Sequence, residues 1–276
     1  MLSATIQVRS THPGFAEALR WHLARFLVEP SSGSSSYRLD LYVRAEDENQ
    51  DPAAYSYFFD TLFRGGAEET FLGDLLGLAL WEHWQAFTVA VRDYLLLHAG
   101  AVVIGGGAVL LPAPPDAGKT SLTLALLQRG SGYLSDEFGA IDPVSARAYP
   151  IARPLALDQE ALSWFPGLED QFADKAIPVR MSKRFLRPED VGATIGDPTP
   201  VRAVVVPEPD FEGAARLEPI TRAAALESLA EHAFNLGVYG DRGVVLLSRV
   251  LADAETFRVV GGDPTSRATA IRDGLA

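Results

Sequence analysis

No cysteine occurs anywhere in the 276 residues. That excludes disulfides, thiolate metal sites and a cysteine nucleophile, and it suits a reducing compartment, so a cytoplasmic protein is expected. A basic surplus is missing as well. With 36 acidic against 24 basic residues the formal net charge is −12. A field of that sign repels nucleic acid and anionic lipid, so neither is expected as a partner. Any nucleotide must be held by a local site, and a peptide of some basic character suits the chain better than a polyanion. Met1 to Ser10 has no apolar run behind a basic start, so no signal peptide is expected. No internal repeat is visible.

The nearest thing to a membrane span is Tyr94 to Pro115, which carries no formally charged residue. By length alone it could cross a bilayer. However, Gly105-Gly106-Gly107 divides it, and His98, Pro112, Pro114 and Pro115 interrupt it. Its valine and isoleucine content favours strands. Two buried strands joined by a glycine turn fit better, and no membrane association is expected.

What is present is an ordinary globular balance, 47% hydrophobic and 22% charged. Residues 2–9 alternate as a strand. Gly14 to Val28 has helical spacing, Ser31 to Ser36 reads as a turn, and Tyr37 to Val43 reads as a half-buried strand. Ala54 to Arg64 suggests one or two more strands, and Leu72 to Arg92 a long amphipathic helix. Its aromatic row reads as core. Residues 1–92 are therefore expected to form an N-terminal α+β unit without visible chemistry. From residue 93 the texture changes to strand, glycine turn, strand, loop and helix. Strands are expected at 95–104, 108–111, 133–134, 201–206 and 257–260. Helices are expected at 120–128, 222–235, 243–252 and 264–275. The whole reads as α/β, with a second domain over 93–276.

The chemistry concentrates in Ala113-Pro-Pro-Asp-Ala-Gly-Lys-Thr120. The phosphate-loop pattern is G-x-x-x-x-G-K-[ST], and only its first glycine is replaced, by Ala113. Such a loop points backbone N–H groups at phosphate oxygens and aims a helix N-terminus at the anion. Gly118 lets the backbone approach, Lys119 places a charge on the terminal phosphates, and the Thr120 hydroxyl is a ligand for Mg²⁺. An apolar strand, Ala108-Val-Leu-Leu111, precedes the motif, and Ser121-Leu-Thr-Leu-Ala-Leu-Leu127 continues it as a helix. Ala113, Pro114, Pro115, Asp116, Ala117, Gly118, Lys119, Thr120 and Ser121 are thus the expected nucleotide-binding stretch. Asp116 should point outward, because a carboxylate facing phosphates repels them. Pro114 and Pro115 stiffen the loop and remove two donors.

Asp136-Glu137 ends the next short apolar strand. A carboxylate there faces the metal held by Thr120, and in phosphoryl transfer it orients Mg²⁺ or takes the proton of an attacking hydroxyl. Asp136 is the expected base and, with Glu137 and Thr120, a metal contact. Taken alone, His98 is more often a satisfied core histidine. Its strand runs beside the loop, though, which brings it within reach of a terminal phosphate. Arg153, before Pro154, is a candidate phosphate or substrate contact, and Lys183, Arg184 and Arg187 a candidate charge clamp, although taken alone each is more often a solvated surface charge.

The run Leu95-Leu-Leu-His-Ala, then Leu110-Leu-Pro-Ala-Pro-Pro-Asp-Ala-Gly-Lys-Thr120, Arg129-Gly and Leu134-Ser-Asp-Glu137 resembles the HPr serine kinase/phosphorylase-like proteins. It looks most like their HprK-related kinase A branch. The resemblance continues through Ile151-Ala-Arg-Pro-Leu-Ala-Leu157, Leu186-Arg-Pro-Glu-Asp190 and Ala230-Glu-His-Ala-Phe-Asn235, covering roughly residues 90–276. It departs at Asp116-Ala117, where small residues such as Gly-Ser are usual. The resemblance implies a PEP-carboxykinase-like P-loop fold, with ATP- and Mg²⁺-dependent phosphorylation of serine on a peptide or protein. A ribosomally made precursor peptide of the lasso type would be one such substrate. By position it implies His98 beside the γ-phosphate, Lys119 and Thr120 as the loop lysine and metal-binding hydroxyl, and Asp136 and Glu137 as the acid pair. The rival expectation is a non-catalytic nucleotide-binding module that docks a peptide-maturation partner. A homo-oligomer is left open.

Overall fold

A computed structural model describes residues 6–10, 13–27, 37–44, 56–61, 67–69, 72–115, 117–168 and 183–276. The chain is α/β, and it divides into two compact units between Val91 and Arg92. The turn expected at 31–36 and the start of the first strand, 2–5, lie outside the described residues.

In the N-terminal unit, strands β1 (Ile6–Ser10), β2 (Tyr37–Arg44), β3 (Ser56–Thr61) and β4 (Ala67–Glu69) form one sheet in that order. β1 and β2 run parallel and the other pairs antiparallel. The parallel first pair needs a crossover, and helix α1 (Pro13–His22) lies between the two strands in the chain. Helix α1 stops earlier than the apolar spacing suggests, giving way to a 3-10 turn at Ala24–Phe26. Helix α2 (Leu72–Ala90) closes the unit. Its aromatic row is core only in part: Phe87 is buried and Trp84, half-buried, meets the rings of Phe26 and Phe87 edge-on, both at 5.5 Å, whereas Trp81 is 47% exposed, against expectation.

The C-terminal unit is built on strands β5 (Leu95–Ile104), β6 (Gly107–Pro112), β7 (Gly132–Ser135), β8 (Phe138–Ile141), β9 (Arg147–Tyr149), β12 (Thr199–Pro207), β13 (Arg216–Pro219) and β14 (Glu255–Val260). A separate ribbon pairs β10 (Leu155–Asp158) with β11 (Lys183–Leu186). The eight-stranded sheet runs β13-β14-β12-β6-β5-β8-β9, with β7 also on β5. β12 is parallel to β6 and β14, whereas β5 and β6 form the hairpin foreseen around the glycine turn. The start of β12 also pairs with β9, through Thr199 and Ala148, so part of the sheet closes on itself.

Strand β5 is the axis of the unit. Leu95, Leu97, Ala99 and Ala101 are buried in one core with Ala225 and Leu229 of helix α5 (Arg222–Glu231) and Leu246, Leu247 and Val250 of helix α7 (Asp241–Ala252). Strand alternation sends the intervening residues to the other face. There helix α3 (Lys119–Leu127) lies so close that a Cβ on Gly100 would come within 2.7 Å of Thr123 Oγ1. Helix α8 (Pro264–Gly274) packs on α3. Short helices α4 (Gln159–Ser163) and α6 (Leu236–Tyr239) complete the order. Among the described residues no helix is long and apolar enough to cross a membrane.

Candidate functional site

The register of three adjacent strands assembles the site. Ala99 of β5 pairs with Pro112, the last residue of β6, where the chain turns into the loop. On the other side of β5, Ala101 pairs with Ser135 of β7 and His98 pairs with Phe138 of β8. β7 and β8 are thus two halves of one line, broken at Asp136-Glu137. The break is held by Ser135, whose Oγ accepts from Phe138 N–H at 2.9 Å, and by Glu137 C=O accepting from Ala99 N–H at 3.1 Å. Residues far apart in sequence therefore converge because they occupy neighbouring positions on one sheet.

The loop leaves Pro112 through Ala113, which is fully buried, and exposed Pro114 and Pro115. Asp116 lies outside the described residues. Gly118 adopts a left-handed φ of 79°, which a side chain would strain, and caps α3. The first α-helical bond is Leu122 N–H to Gly118 C=O at 2.9 Å. The opening N–H groups of α3, over Lys119 to Ser121, therefore precede the helical ladder, as at any helix start. Lys119 is 6% exposed and its ammonium donates to Ala113 C=O at 2.9 Å and Pro114 C=O at 2.7 Å. The cation thus spans the mouth of its own loop.

Thr120 Oγ1 donates to Asp136 Oδ2 at 3.2 Å, tying the helix to the strand break. Asp136 has no exposed surface. Arg153, on the segment between β9 and β10, donates from Nε to Asp136 Oδ1 at 3.0 Å and from Nη2 to Glu137 Oε2 at 3.2 Å. The Tyr133 hydroxyl accepts from Asp136 N–H at 3.1 Å and has its own proton between Asp136 Oδ1, at 3.0 Å, and Arg153 C=O, at 2.9 Å. Burial opposes the guanidinium charge, but Asp136, Glu137 and Tyr133 outweigh it and raise the Arg153 pKa. Burial and then the Asp136 charge push the Tyr133 phenol well up.

His98 Nε2 lies 3.2 Å from Glu137 Oε1, and the Glu137 side chain keeps 30% of its exposure. Burial works to raise the Glu137 carboxyl. The His98 hydrogen bond and the charges of Arg153, His98 and Lys119 prevail and hold it at about 2. Phe234 covers the His98 ring at 5.2 Å. It is set there by a strand-like run along β5, with Phe234 N–H on Leu96 C=O at 2.9 Å and the buried Asn235 amide accepting from Leu96 N–H at 2.9 Å.

Lys119, Thr120, Asp136, Glu137, His98 and Arg153 are therefore gathered in one network. Ser121 follows in the buried first turn of α3. The basic cluster does not join this network through any contact described. Lys183 and Arg184 stand exposed on β11, and Arg187 opens a 3-10 turn, its N–H bonded to Asp190 Oδ2 at 3.1 Å. Tyr133 and Phe234 escaped the sequence reading. Tyr133 looked like one more apolar strand residue, and Phe234 lies in a helix-like stretch whose end the structure turns into an edge of the sheet.

No family model and no curated protein matches the chain.

Proposed function

We propose that the chain is an ATP- and Mg²⁺-dependent serine kinase acting on a peptide or protein, of the kind the HPr-kinase-like resemblance implies. The observation that carries this reading is the Thr120 to Asp136 contact at 3.2 Å. It joins a strand–loop–helix with a left-handed glycine and a lysine to a buried acid, the pairing a phosphoryl-transfer site requires.

The residues fit the groups such a reaction needs. Among the described residues no group of three or more His, Cys, Asp or Glu side chains forms a metal cage. Mg²⁺ bound alongside phosphates needs none, since it keeps several waters and takes one or two carboxylates. Thr120, Asp136 and Glu137 would supply its protein contacts, and Ala113 to Ser121 the nucleotide's. The bound nucleotide and metal supply the phosphoryl group and its charge neutralisation. Lys119 exchanges the two loop carbonyls for phosphate oxygens, and the N–H groups opening α3 bind beside it. Asp136, sealed by Arg153, Tyr133 and Thr120, orients. Glu137 is part-exposed and held by His98 at 3.2 Å, so it, in place of the enclosed Asp136 expected as base, is the acid placed to receive the proton of the serine hydroxyl as that oxygen bonds to the γ-phosphorus and the bond to the departing ADP breaks.

The test is transfer from γ-labelled ATP to serine-containing peptides by the full chain, read by mass spectrometry. Transfer should fall at least a hundredfold in Lys119→Ala. Undiminished transfer in that variant would sink the reading. Tight ATP binding without turnover on any peptide would favour the docking module instead.

A further inference from the structure

Two aromatic side chains beside the loop are left exposed with no part in the network above. Trp164, at the end of α4, is 43% exposed, and Phe211, between β12 and β13, is 37% exposed. Their rings lie near-parallel, 22° apart in plane, with centroids 6.4 Å apart. Apolar rings of this size cost free energy when left in water, so a half-exposed parallel pair at a ligand-binding loop calls for an occupant.

Phe211 is not a mobile surface ring. Arg267 is 1% exposed and its guanidinium lies 4.2 Å over the Phe211 centroid. That guanidinium is itself fixed by backbone: Nε donates to Gly261 C=O at 2.8 Å, Nη1 to Glu208 C=O at 2.9 Å, and Nη2 to Asp210 C=O. A buried cation with every arm committed to carbonyls orients the ring from behind. The ring tip also reaches the loop, since a Cβ on Gly118 would lie 3.3 Å from Phe211 Cζ. The platform thus begins at the glycine whose neighbours hold phosphate.

We infer that Trp164 and Phe211 form the stacking site for the base of the bound nucleotide, with Arg267 as its positioning residue. This rests on the nucleotide-binding reading above. The ligand is a nucleoside triphosphate with a planar base. Stacking tolerates any base because every base has a π-face, so ATP and GTP should bind comparably. The phosphates engage the loop, and the base extends along the two rings.

The test compares ATP with inorganic tripolyphosphate, which has the phosphates and no base, by calorimetric titration of the full chain. In Trp164→Ala and Phe211→Ala, ATP affinity should fall about ten- to a hundredfold, the range of losing one base stack, while tripolyphosphate affinity stays within twofold. Trp164→Phe should recover most of the loss. Lys119→Ala should weaken both ligands together. Unchanged ATP affinity in both alanine variants overturns the base site and leaves the loop reading standing. Equal loss of ATP and tripolyphosphate in those variants, with thermal midpoints unchanged, overturns it too, because the rings would then serve the loop. Wild-type protein that binds neither ligand overturns the base site and the nucleotide reading together.

Discussion

The Thr120 hydroxyl on the first turn of α3 lies 3.2 Å from Asp136 Oδ2 at the break between β7 and β8. One bond therefore links a helix start to a sheet defect, and both ends carry oxygen at the place where a phosphate-bound Mg²⁺ is expected.

Thr120→Val keeps the β-branched shape and removes that oxygen. The Mg²⁺ concentration for half-maximal turnover should rise about tenfold or more, in line with the loss of an oxygen that coordinates the metal or orients one of its ligands. Binding of ATP measured without Mg²⁺ should stay close to wild type. A titration of activity against Mg²⁺, beside a metal-free binding curve, separates the two effects. Parallel losses in both would assign Thr120 a purely structural role.

Asp136 and Arg153 form a buried ion pair at 3.0 Å, with Asp136 fully enclosed. Removing Asp136 takes one of two described carboxylate partners from the buried Arg153 guanidinium, Glu137 at 3.2 Å being the other, and removes an acceptor of the Tyr133 and Thr120 hydroxyls. Asp136→Leu alone should cost about 3–5 kcal/mol, seen as a fall of about 10 °C at about 2–4 °C per kcal/mol. Adding Arg153→Met should restore much of that stability, because a buried pair replaced by apolar residues is often close to neutral. Thermal melts of the two singles and the double complete the cycle. Additive losses would show that each side chain is stabilised independently of the other.

Where the sequence is explicit, physical necessity made it so. Gly118, Lys119 and Thr120 stand out because the pattern proposed to bind phosphate tolerates few residue types, and the hairpin is readable because three glycines divide an uncharged run. The divided line of β7 and β8 was invisible. The β7 half was expected at 133–134, but β8 carries too little alternation to register, and nothing local says that both halves pair with one long neighbour. Strands β9 to β11 and β13 were missed for the same shortness. Arg153 was legible as a cation near a proline, but its pairing with Asp136 is a product of tertiary packing. Phe234 was concealed by a helical pattern that ends early, at Glu231, where β5 offers its free backbone groups.

Acid should unfold the two units in different windows. His83 in α2 is buried, and burial lowers its imidazole to about 4 from an ordinary 6.5. The fold prefers the neutral ring, so this contribution is complete above about 6.5 and is lost as pH falls toward about 4. Glu137, held at about 2 against an ordinary 4.5, contributes fully above about 4.5 and loses it as pH falls toward about 2. The first loss amounts to about 3 kcal/mol at 1.36 kcal/mol per unit. In a Trp164→Phe background the remaining tryptophans, Trp21, Trp81 and Trp84, all report on the N-terminal unit. Their unfolding signal should weaken between pH 6.5 and 4, and His83→Leu should flatten that slope. Glu137→Gln should leave it unchanged and flatten only the more acidic limb, followed by the circular dichroism of the whole chain. A His83→Leu profile as steep as wild type would contradict the assignment.

The close approach of α3 to β5 is the contact on which the loop's position depends. A methyl at Gly100 would meet Thr123 Oγ1 at 2.7 Å and Leu111 Cδ1 at 3.3 Å, so Gly100→Ala must push the helix outward. Overpacking of this kind costs about 1–3 kcal/mol. The clash is with a hydroxyl that is fully buried and has no hydrogen-bond partner, so Thr123 loses little when that oxygen goes. Thr123→Ala in the Gly100→Ala background should therefore recover most of the stability, and with it the seating of Lys119 and Thr120 four and three residues upstream. The readouts are the thermal midpoint and ATP affinity, measured on both singles and the double. The Gly100→Ala single should lose both, and the double should regain both together. A double variant regaining stability without ATP affinity would mean that the loop is positioned from the β6 side, through Pro112 and Ala113, independently of how deeply the helix sits on the sheet.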